Sequence, residues 1–121
     1  MSDLKRQLDR AYEKKVVDTV DTRFRKVVLS VFGSVIRATP VDTGRARGNW
    51  QTTLDAPARE QVEGTTPRVG EADAVAAAAK MGKVAFVSNN VPYIGRLNEG
   101  SSKQAPAGFV EKAAQAGAAV R

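Results

Sequence analysis

The side chains that could carry out chemistry are few in this sequence of 121 residues, because it contains no cysteine and no histidine. Without them the chain itself can form no thiolate nucleophile, disulfide, Cys/His zinc site or histidine-based triad. A catalytic site would have to be assembled from Ser, Thr, Lys, Tyr and carboxylates. We therefore expect no enzymatic activity, no bound metal and no cofactor.

One short segment places hydroxyl groups beside an amine, where Ser101, Ser102 and Lys103 follow Gly100. The spacing matches neither the Ser-x-x-Lys arrangement of Ser/Lys enzymes nor a nucleophile elbow. The Gly-x-x-x-x-Gly-Lys-Ser/Thr pattern of a phosphate-binding loop is also missing. Asp42 has no second carboxylate close by in the sequence for holding a metal ion, and its position favours capping a turn. These residues give no catalytic or metal site.

Charge and an aromatic ring come together where Arg45 and Arg47 precede Trp50, the only tryptophan. Such a mixture can bind nucleic acid by phosphate contacts and base stacking. Alternatively, Trp50 belongs to the hydrophobic core and the two arginines lie at the surface or at subunit contacts. The second interpretation is favoured, because too few aromatic residues remain to build a stacking platform.

The chain carries 19 Lys and Arg against 13 Asp and Glu, a formal charge of +6. Residues 1–50 hold eleven basic and six acidic side chains, whereas residues 51–121 hold eight and seven. The excess therefore belongs mainly to the first predicted helix. A basic helix can face phosphate, meet an acidic protein surface or simply be solvated.

The stretch from Thr39 to Trp50 divides the chain into a helical part and a mixed part. Pro40 cannot continue a helix and disfavours helical geometry in the residue before it, so the first helix should end near Ala38. Asp42 and Thr43 can cap the turn that follows, and Gly44 frees the backbone to bend there. The sequence thus predicts a structural turn with four key residues: Pro40, Asp42, Thr43 and Gly44.

Residues 1–38 are predicted to form one long helix, because apolar residues recur at intervals of three and four from Leu4 to Ile36. About 34 helical residues span about 50 Å, whereas a domain of this length has a radius of gyration of roughly 14 Å. The helix must therefore bend, or one end must extend onto a neighbour. We name a candidate subunit interface from its first half and from exposed arginines: Leu4, Leu8, Tyr12, Val16, Arg45, Arg47, Arg59 and Arg68.

The rest of the chain is predicted to alternate short elements within a single domain. Residues 39–54 form the turn and a strand, and residues 55–70 form an exposed loop that is either functional or mobile. Residues 71–121 supply a helix over 71–80, a strand over 83–88 that pairs with the first, a short helix from Pro92 and a final helix over 106–120. The fold class is α+β, with the long N-terminal helix and the C-terminal helix packed on a small antiparallel sheet. Six residues are predicted for its core: Phe24, Val31, Trp50, Tyr93, Leu97 and Phe109.

No apolar run follows the N-terminal methionine, and no stretch approaches eighteen apolar residues. A secretion signal and a membrane-spanning helix both require such a run. We expect neither, and no contact with a membrane.

Two segments resemble one known family. The first, Ala38-Thr-Pro-Val-Asp-Thr-Gly-Arg-Ala-Arg-Gly-Asn-Trp50, is close to a Pro-Val-Asp-Thr-Gly-x-Leu-Arg signature after a long helix. The second runs from Asn90 to Glu111 and looks like a Tyr-x-x-x-(Leu/Val)-x-x-Gly-(Thr/Ser) segment followed by a proline-led helix. In this order they resemble the small tail-component or tail-completion proteins of long-tailed bacteriophages, which assemble at the neck between head and tail.

The resemblance implies an α+β subunit without enzymatic activity that forms or joins a ring at the head–tail interface. Its implied partners are copies of itself, head-completion or connector proteins, and tail-terminator or tail-tube proteins, with non-specific contact to DNA in the lumen left open. Its implied location is the neck or tail of the virion, after assembly in the host cytoplasm. The alternative from the residues alone is a nucleic-acid-binding module that uses the basic first helix.

Overall fold

A computed structural model of the chain describes residues 3–41 and 44–120. Five helices and two strands alternate along these residues in an α+β arrangement, which confirms the predicted fold class. Their order is α1 (Asp3–Ala38), α2 (Arg45–Gly48), β1 (Trp50–Leu54), α3 (Val69–Ala78), β2 (Ala85–Asn89), α4 (Ile94–Asn98) and α5 (Phe109–Ala118).

The sheet is a two-stranded antiparallel ribbon in which Trp50 lies opposite Asn89 and Leu54 lies opposite Ala85. The β-branched and aromatic residues of β1 favour this extended conformation. The ribbon is closed at one end by Asp55, which has φ 66° and donates its backbone N–H to the Val84 carbonyl oxygen over 2.6 Å. The pairing of these two strands agrees with the sequence prediction.

The core lies where the second half of α1 meets α5, α3 and the sheet. Its buried cluster joins Phe32 and Val35 of α1 to Trp50 of β1, Ala72 of α3 and Ala113 of α5. Because alanines supply the contribution of α3 and part of that of α5, those helices can approach α1 closely. The large side chains of this core therefore come mainly from α1 and β1.

The helix pair α1 and α5 is the most extensive contact between elements of the fold. A Cβ atom placed on Gly117 would lie only 2.6 Å from the Cα atom of Val31, so the two backbones touch at this point. Ser34 adds a hydrogen bond from its Oγ to the Ala113 carbonyl oxygen, 2.7 Å long. The small residue at 117 therefore sets how near α5 comes to α1.

The end of α1 is bonded to the start of the sheet. Thr39 donates its hydroxyl hydrogen to the Val35 carbonyl oxygen, and its oxygen accepts a hydrogen bond from the Trp50 indole nitrogen over 2.8 Å. Thr39, Pro40 and Trp50 are all buried. The helix ends at Ala38 as Pro40 predicts, and the chain that follows is held against the core by this pair of hydrogen bonds.

The predicted core list needs correcting at four positions. Trp50 and Phe109 are buried, but Phe24, Val31, Tyr93 and Leu97 are only half-buried. We call the elements α2 to α5, together with the two strands, the body. Buried side chains of α1 begin at Val28, so Phe24 lies at the edge of the contact with the body, and Val31 is a partly buried residue packed against the core. Tyr93 and Leu97 line an open groove and are therefore only partly covered.

The boundaries of three helices also differ from the prediction, and the short helix expected from Pro92 begins at Ile94. The helix expected over 71–80 begins at Val69 and ends at Ala78. The last helix begins at Phe109 rather than at Pro106, because Gly108 takes the left-handed conformation with φ 75° and precedes its first turn. A residue in that conformation cannot continue a right-handed helix, so residues 106–108 remain a connector.

Candidate interaction surfaces

The first half of α1 is exposed along its whole described length. Every residue from Asp3 to Val16 is exposed, including large apolar ones such as Leu8 at 61% and Tyr12 at 71%. Leu4, Val16 and Val20 are exposed as well. We call Asp3–Val16 the bare half-helix. A row of exposed apolar side chains of this kind usually marks a protein contact.

Contacts between the body and α1 lie C-terminal to the bare half-helix. Asp21 accepts a hydrogen bond from the Met81 backbone N–H at 2.7 Å, and the side chains of α1 that are buried are Val28, Phe32 and Val35. α1 continues as helix without interruption from the bare half-helix into this buried part. The expected extension of one end beyond the domain is therefore present among the described residues.

Residues 3–38, which form α1, hold nine basic and five acidic side chains, a difference of +4, in agreement with a basic first helix. Residues 3–23 hold six basic and five acidic side chains, a difference of +1. Residues 24–50 hold five basic and one acidic side chain, a difference of +4. The excess is spread along α1, since residues 3–16 alone hold five basic and three acidic side chains, a difference of +2.

A groove of about 950 Å³ opens beside that turn. Apolar side chains form much of its wall, and polar residues of the 61–65 segment form its other side. Arg45 lies over the Tyr93 ring, 6.0 Å from its centroid, and also bonds the Gln61 side-chain oxygen. The lining residues are Pro40, Arg45, Ala46, Gln61, Val62, Glu63, Gly64, Thr65, Tyr93 and Leu97.

The loop that borders this groove is exposed, as predicted, yet its backbone is held to the body by side-chain amides. Asn49 accepts a hydrogen bond from the Val62 backbone N–H through its Oδ1 at 2.9 Å. Gln51 donates to the Glu60 carbonyl oxygen at 2.7 Å, and Asn90 donates to the Ala58 carbonyl oxygen at 2.9 Å. These contacts argue against a mobile loop over 58–62, and the sequence prediction did not identify them.

The loop also approaches α2 very closely. A Cβ atom on Gly48 would lie 2.5 Å from the Gly64 carbonyl oxygen and 2.9 Å from the Thr65 Cα atom. A larger residue at 48 would displace backbone atoms of the loop. The sequence analysis did not identify this contact. The feature that could have indicated it is the second glycine, Gly48, four residues after Gly44.

The turn itself is described from Gly44 onward. Gly44 has φ 73° and lies immediately before α2. Positive φ at this position agrees with the predicted backbone role of the glycine. The capping roles predicted for Asp42 and Thr43 lie outside the described residues, while Pro40 is buried.

The four predicted interface arginines fall into two groups. Arg45 and Arg59 are exposed. Arg47 is half-buried and donates to the Thr39 carbonyl oxygen at 2.7 Å, while Arg68 forms an ion pair of 3.0 Å with Glu71. Arg47 therefore binds the end of α1, and Arg68 binds the first turn of α3. Both side chains therefore have partners within the chain, and their assignment to the interface stays a prediction.

Over the described ranges, no three Asp or Glu side chains converge to form a candidate metal site. Nor does any helix in this part of the chain combine the length and apolar character needed to span a membrane. Ser102, one of the hydroxyls considered above, accepts a hydrogen bond from the Gln104 backbone N–H at 3.1 Å. The features that stand out are therefore surfaces for contact.

Comparisons with protein-family models, with curated proteins and with solved structures each found no match to this chain.

Proposed function

We propose that this protein is a structural subunit of a long-tailed bacteriophage, a tail-completion or neck protein that forms or joins a ring at the head–tail interface. The motif around Pro40 and the segment from Asn90 to Glu111 support it, because both resemble that family. The bare half-helix is the observation that carries the proposal. A helix that extends beyond its own body with exposed Leu8 and Tyr12 suits a subunit that is completed by neighbours.

The proposed partners are further copies of the chain together with head-completion or connector proteins and tail-terminator or tail-tube proteins. The two exposed features lie far apart, because about 30 helical residues at 1.5 Å each separate Leu8 from Pro40 by about 45 Å. One subunit could therefore contact different neighbours at the bare half-helix and at the groove beside Arg45. In this proposal the protein acts by assembly and has no enzymatic activity.

The direct test is a joining assay with purified heads, tails and added protein. A chain that lacks residues 1–16 should remain folded by circular dichroism, because every described residue it loses is exposed, and it should fail to join heads to tails. Its control is Arg10→Ala in the intact chain, which changes one exposed side chain on the same helix and should join normally. Full joining by the shortened chain would refute the role of the bare half-helix.

The second candidate function is binding to nucleic acid, and the charge distribution favours one place for it. The basic residues of α1 exceed its acidic residues by four, nine against five, so the site would lie along this helix. Affinity that depends on phosphate contacts falls steeply as salt rises. Retention of tight DNA binding from about 50 to about 200 mM salt, or no binding at all, would exclude a phosphate-driven contact.

A further inference from the structure

The two strands of the ribbon point alternate backbone groups away from each other. The Asp55 backbone N–H donates to the Val84 carbonyl oxygen, so these two residues form a hydrogen-bonded pair in the antiparallel register. Such pairs alternate with pairs whose N–H and C=O groups point away from the partner strand. The outward-pointing residues are therefore Trp50, Thr52 and Leu54 of β1 and Ala85, Val87 and Asn89 of β2.

The outer edge of β1 is occupied by α3. The Thr52 backbone N–H, which points outward, donates to the Glu71 carboxylate oxygen at 2.9 Å, and α3 packs beside this strand. Trp50 and Thr52 are buried. α3 therefore takes the place that a further strand would have on this side of the ribbon.

The outer edge of β2 is open. Within residues 3–41 and 44–120, no hydrogen bond reaches the outward N–H or C=O groups of Ala85 or Val87. All residues of β2 are only half-buried. No charged residue and no proline occurs from Val84 to Val91, although both are usual means of protecting an edge strand from pairing. β2 thus keeps an edge that can accept another strand.

A cleft of about 290 Å³ lies beside β2, where the strand faces α4 and α5. We call it the edge cleft. Val87, Ile94 and Val110 line it, and all three are half-buried residues that pack against the core. Val87 lies on the same face of the ribbon as the buried Trp50, because both occupy outward-pointing positions of the ladder. A third strand beside β2 would extend this apolar face over the edge cleft.

The backbone groups of the open edge decide which kind of molecule can cover it. Outward N–H groups, which are positive, and outward C=O groups, which are negative, recur at every second residue, about 6.8 Å apart. An extended backbone carries complementary groups at the same repeat, whereas a helix uses its own groups internally. In strand addition, main-chain hydrogen bonds provide affinity and pockets for alternate side chains provide specificity. The edge cleft is such a pocket, and its apolar lining suits one large apolar side chain.

A second copy of this chain does not supply that side chain. The outer edge of its β1 is occupied by α3, so only its β2 could pair with β2. Residues that face each other across two outer edges belong to the outward-pointing set, so the copy would bring Ala85, Val87 and Asn89 to the face over the edge cleft. Their only apolar side chains are those of an alanine and a valine, which are small for a cleft of this volume.

We propose that β2 binds an extended segment of a different protein, which adds as a third strand and places one large apolar side chain in the edge cleft. The residue that carries this side chain lies opposite Val87 and exchanges both backbone hydrogen bonds with it, because directly opposite residues share a face of the sheet. The inference takes from the proposed function only that the chain works beside other proteins.

The test is an NMR titration of the isotope-labelled full-length chain with a capped peptide in which Thr alternates with Val around a central Leu. Binding should shift the amide signals of Ala85 and Val87 and slow their hydrogen exchange. N-methylation of the central Leu removes a donor that faces β2 and should weaken binding by at least about tenfold. N-methylation of the adjacent Thr, whose N–H points away from β2, should leave the dissociation constant within about threefold.

A pair of glycine variants tests the edge cleft itself. Gly95 lines the cleft, and Gly70 lies in α3; a Cβ atom added at either position meets no atom within 4 Å. Both variants should therefore fold, as circular dichroism can verify. Gly95→Leu fills the cleft and should weaken peptide binding by at least about tenfold, whereas Gly70→Leu should leave it within about threefold.

Absence of peptide binding at the highest soluble concentration, or equal effects within either matched pair, would overturn the proposal. Sedimentation that shows the chain pairing with itself, with the pairing lost in Val87→Pro, would assign the open edge to a second copy and would also contradict it. These measurements use the purified chain alone. A chain that binds the peptide but does not join heads to tails would therefore count against the virion role and not against the added strand.

Discussion

The two halves of α1 have similar apolar side chains and opposite surroundings. In the second half Phe32 and Val35 are buried, whereas in the first half Leu8 and Tyr12 are exposed. The difference does not come from composition, because the same spacing of four residues runs through both halves. It comes from the position along the helix, because every residue from Asp3 to Val16 is exposed whichever way it points, while the buried residues of α1 are Val28, Phe32 and Val35.

This comparison teaches that an apolar side chain on a continuous helix is not by itself evidence of an intramolecular core. Whether the rest of the chain packs beside that part of the helix decides whether the side chain is covered within the molecule. In α1 the second half contributes to the stability of the chain, and the first half is available for association. The predictions below test this division, beginning with the largest expected effect.

Trp50→Ala should lower the free energy of unfolding by about 3–5 kcal/mol, the usual cost of truncating a buried aromatic side chain. It would also leave the Thr39 hydroxyl without the indole hydrogen bond that it accepts. The matched change on the bare half-helix, Tyr12→Ala, should alter the free energy of unfolding by no more than about 0.5 kcal/mol. Urea unfolding of both variants measures the difference, and comparable losses would contradict the division.

Gly117→Ala should lower the free energy of unfolding by about 1–3 kcal/mol, because the added methyl group overpacks the contact with the backbone of α1 at Val31. The control is Gly95→Ala in α4, where no atom lies within 4 Å of the added carbon. That control should be neutral or stabilising by about 0.5–1 kcal/mol, since alanine suits a helix better than glycine. Thermal unfolding of the two variants measures the difference in stability. A neutral effect of Gly117→Ala would contradict the close backbone contact between α5 and α1.

Gly44→Val should lower stability by about 1–2 kcal/mol, because a β-branched residue is strained at φ 73°. The added Cβ atom would also lie 2.9 Å from the Cβ atom of Thr65 in the loop. Gly44→Asn is the control, since asparagine tolerates the left-handed region better, and it should lose less. Equal stability of the two variants in urea would contradict the claim that the left-handed conformation at residue 44 strains a β-branched residue.

The smallest effect concerns Asp55, at the end of the two-stranded ribbon. Hydrogen bonds from the Val84 backbone N–H and then from the Lys83 side chain hold the pKa of the Asp55 carboxyl below its ordinary value. A lowered pKa gives stability that is present above the unfolded pKa of about 3.9 and lost as the pH falls through the folded pKa. Asp55→Asn should therefore reduce the dependence of the urea midpoint on pH below about 4. An unchanged dependence would show that these hydrogen bonds do not favour the charged carboxylate.

Much of the fold followed from local chemistry. Pro40 located the end of α1, and the β-branched run after Trp50 indicated β1. Gly44 indicated a bend, and its positive φ agrees with that expectation. These features depend on residues and their immediate neighbours, so the sequence alone contains them.

Other features depend on partners that are distant along the chain, and the sequence did not reveal them. The amides of Asn49 and Gln51 hold backbone atoms of Val62 and Glu60, so the loop is exposed and still bound to the body. A Cβ at Gly117 would meet the backbone at Val31, 86 residues earlier, since 117 minus 31 is 86. No local pattern distinguishes such a glycine from one in an ordinary helix end.

The candidate surface was predicted better in its apolar part than in its charged part. Leu4, Leu8, Tyr12 and Val16 are all exposed, because a helix of this length exceeds its own body. Arg47 and Arg68 were assigned to the interface from charge alone, but both bind groups of their own chain. Charge by itself does not tell whether a guanidinium group meets a neighbour or a nearby carbonyl or carboxylate group.

The measurement that tests the account most directly is amide hydrogen exchange along α1, in dilute monomeric protein and in the assembled particle. In the monomer, amides of residues 8–16 should exchange much faster than those of residues 28–38, since only the latter are packed against the body. In the particle, residues 8–16 should become protected while residues 28–38 change little. Protection of residues 8–16 that is equal in the two states would contradict the claim that neighbouring molecules cover this half of the helix.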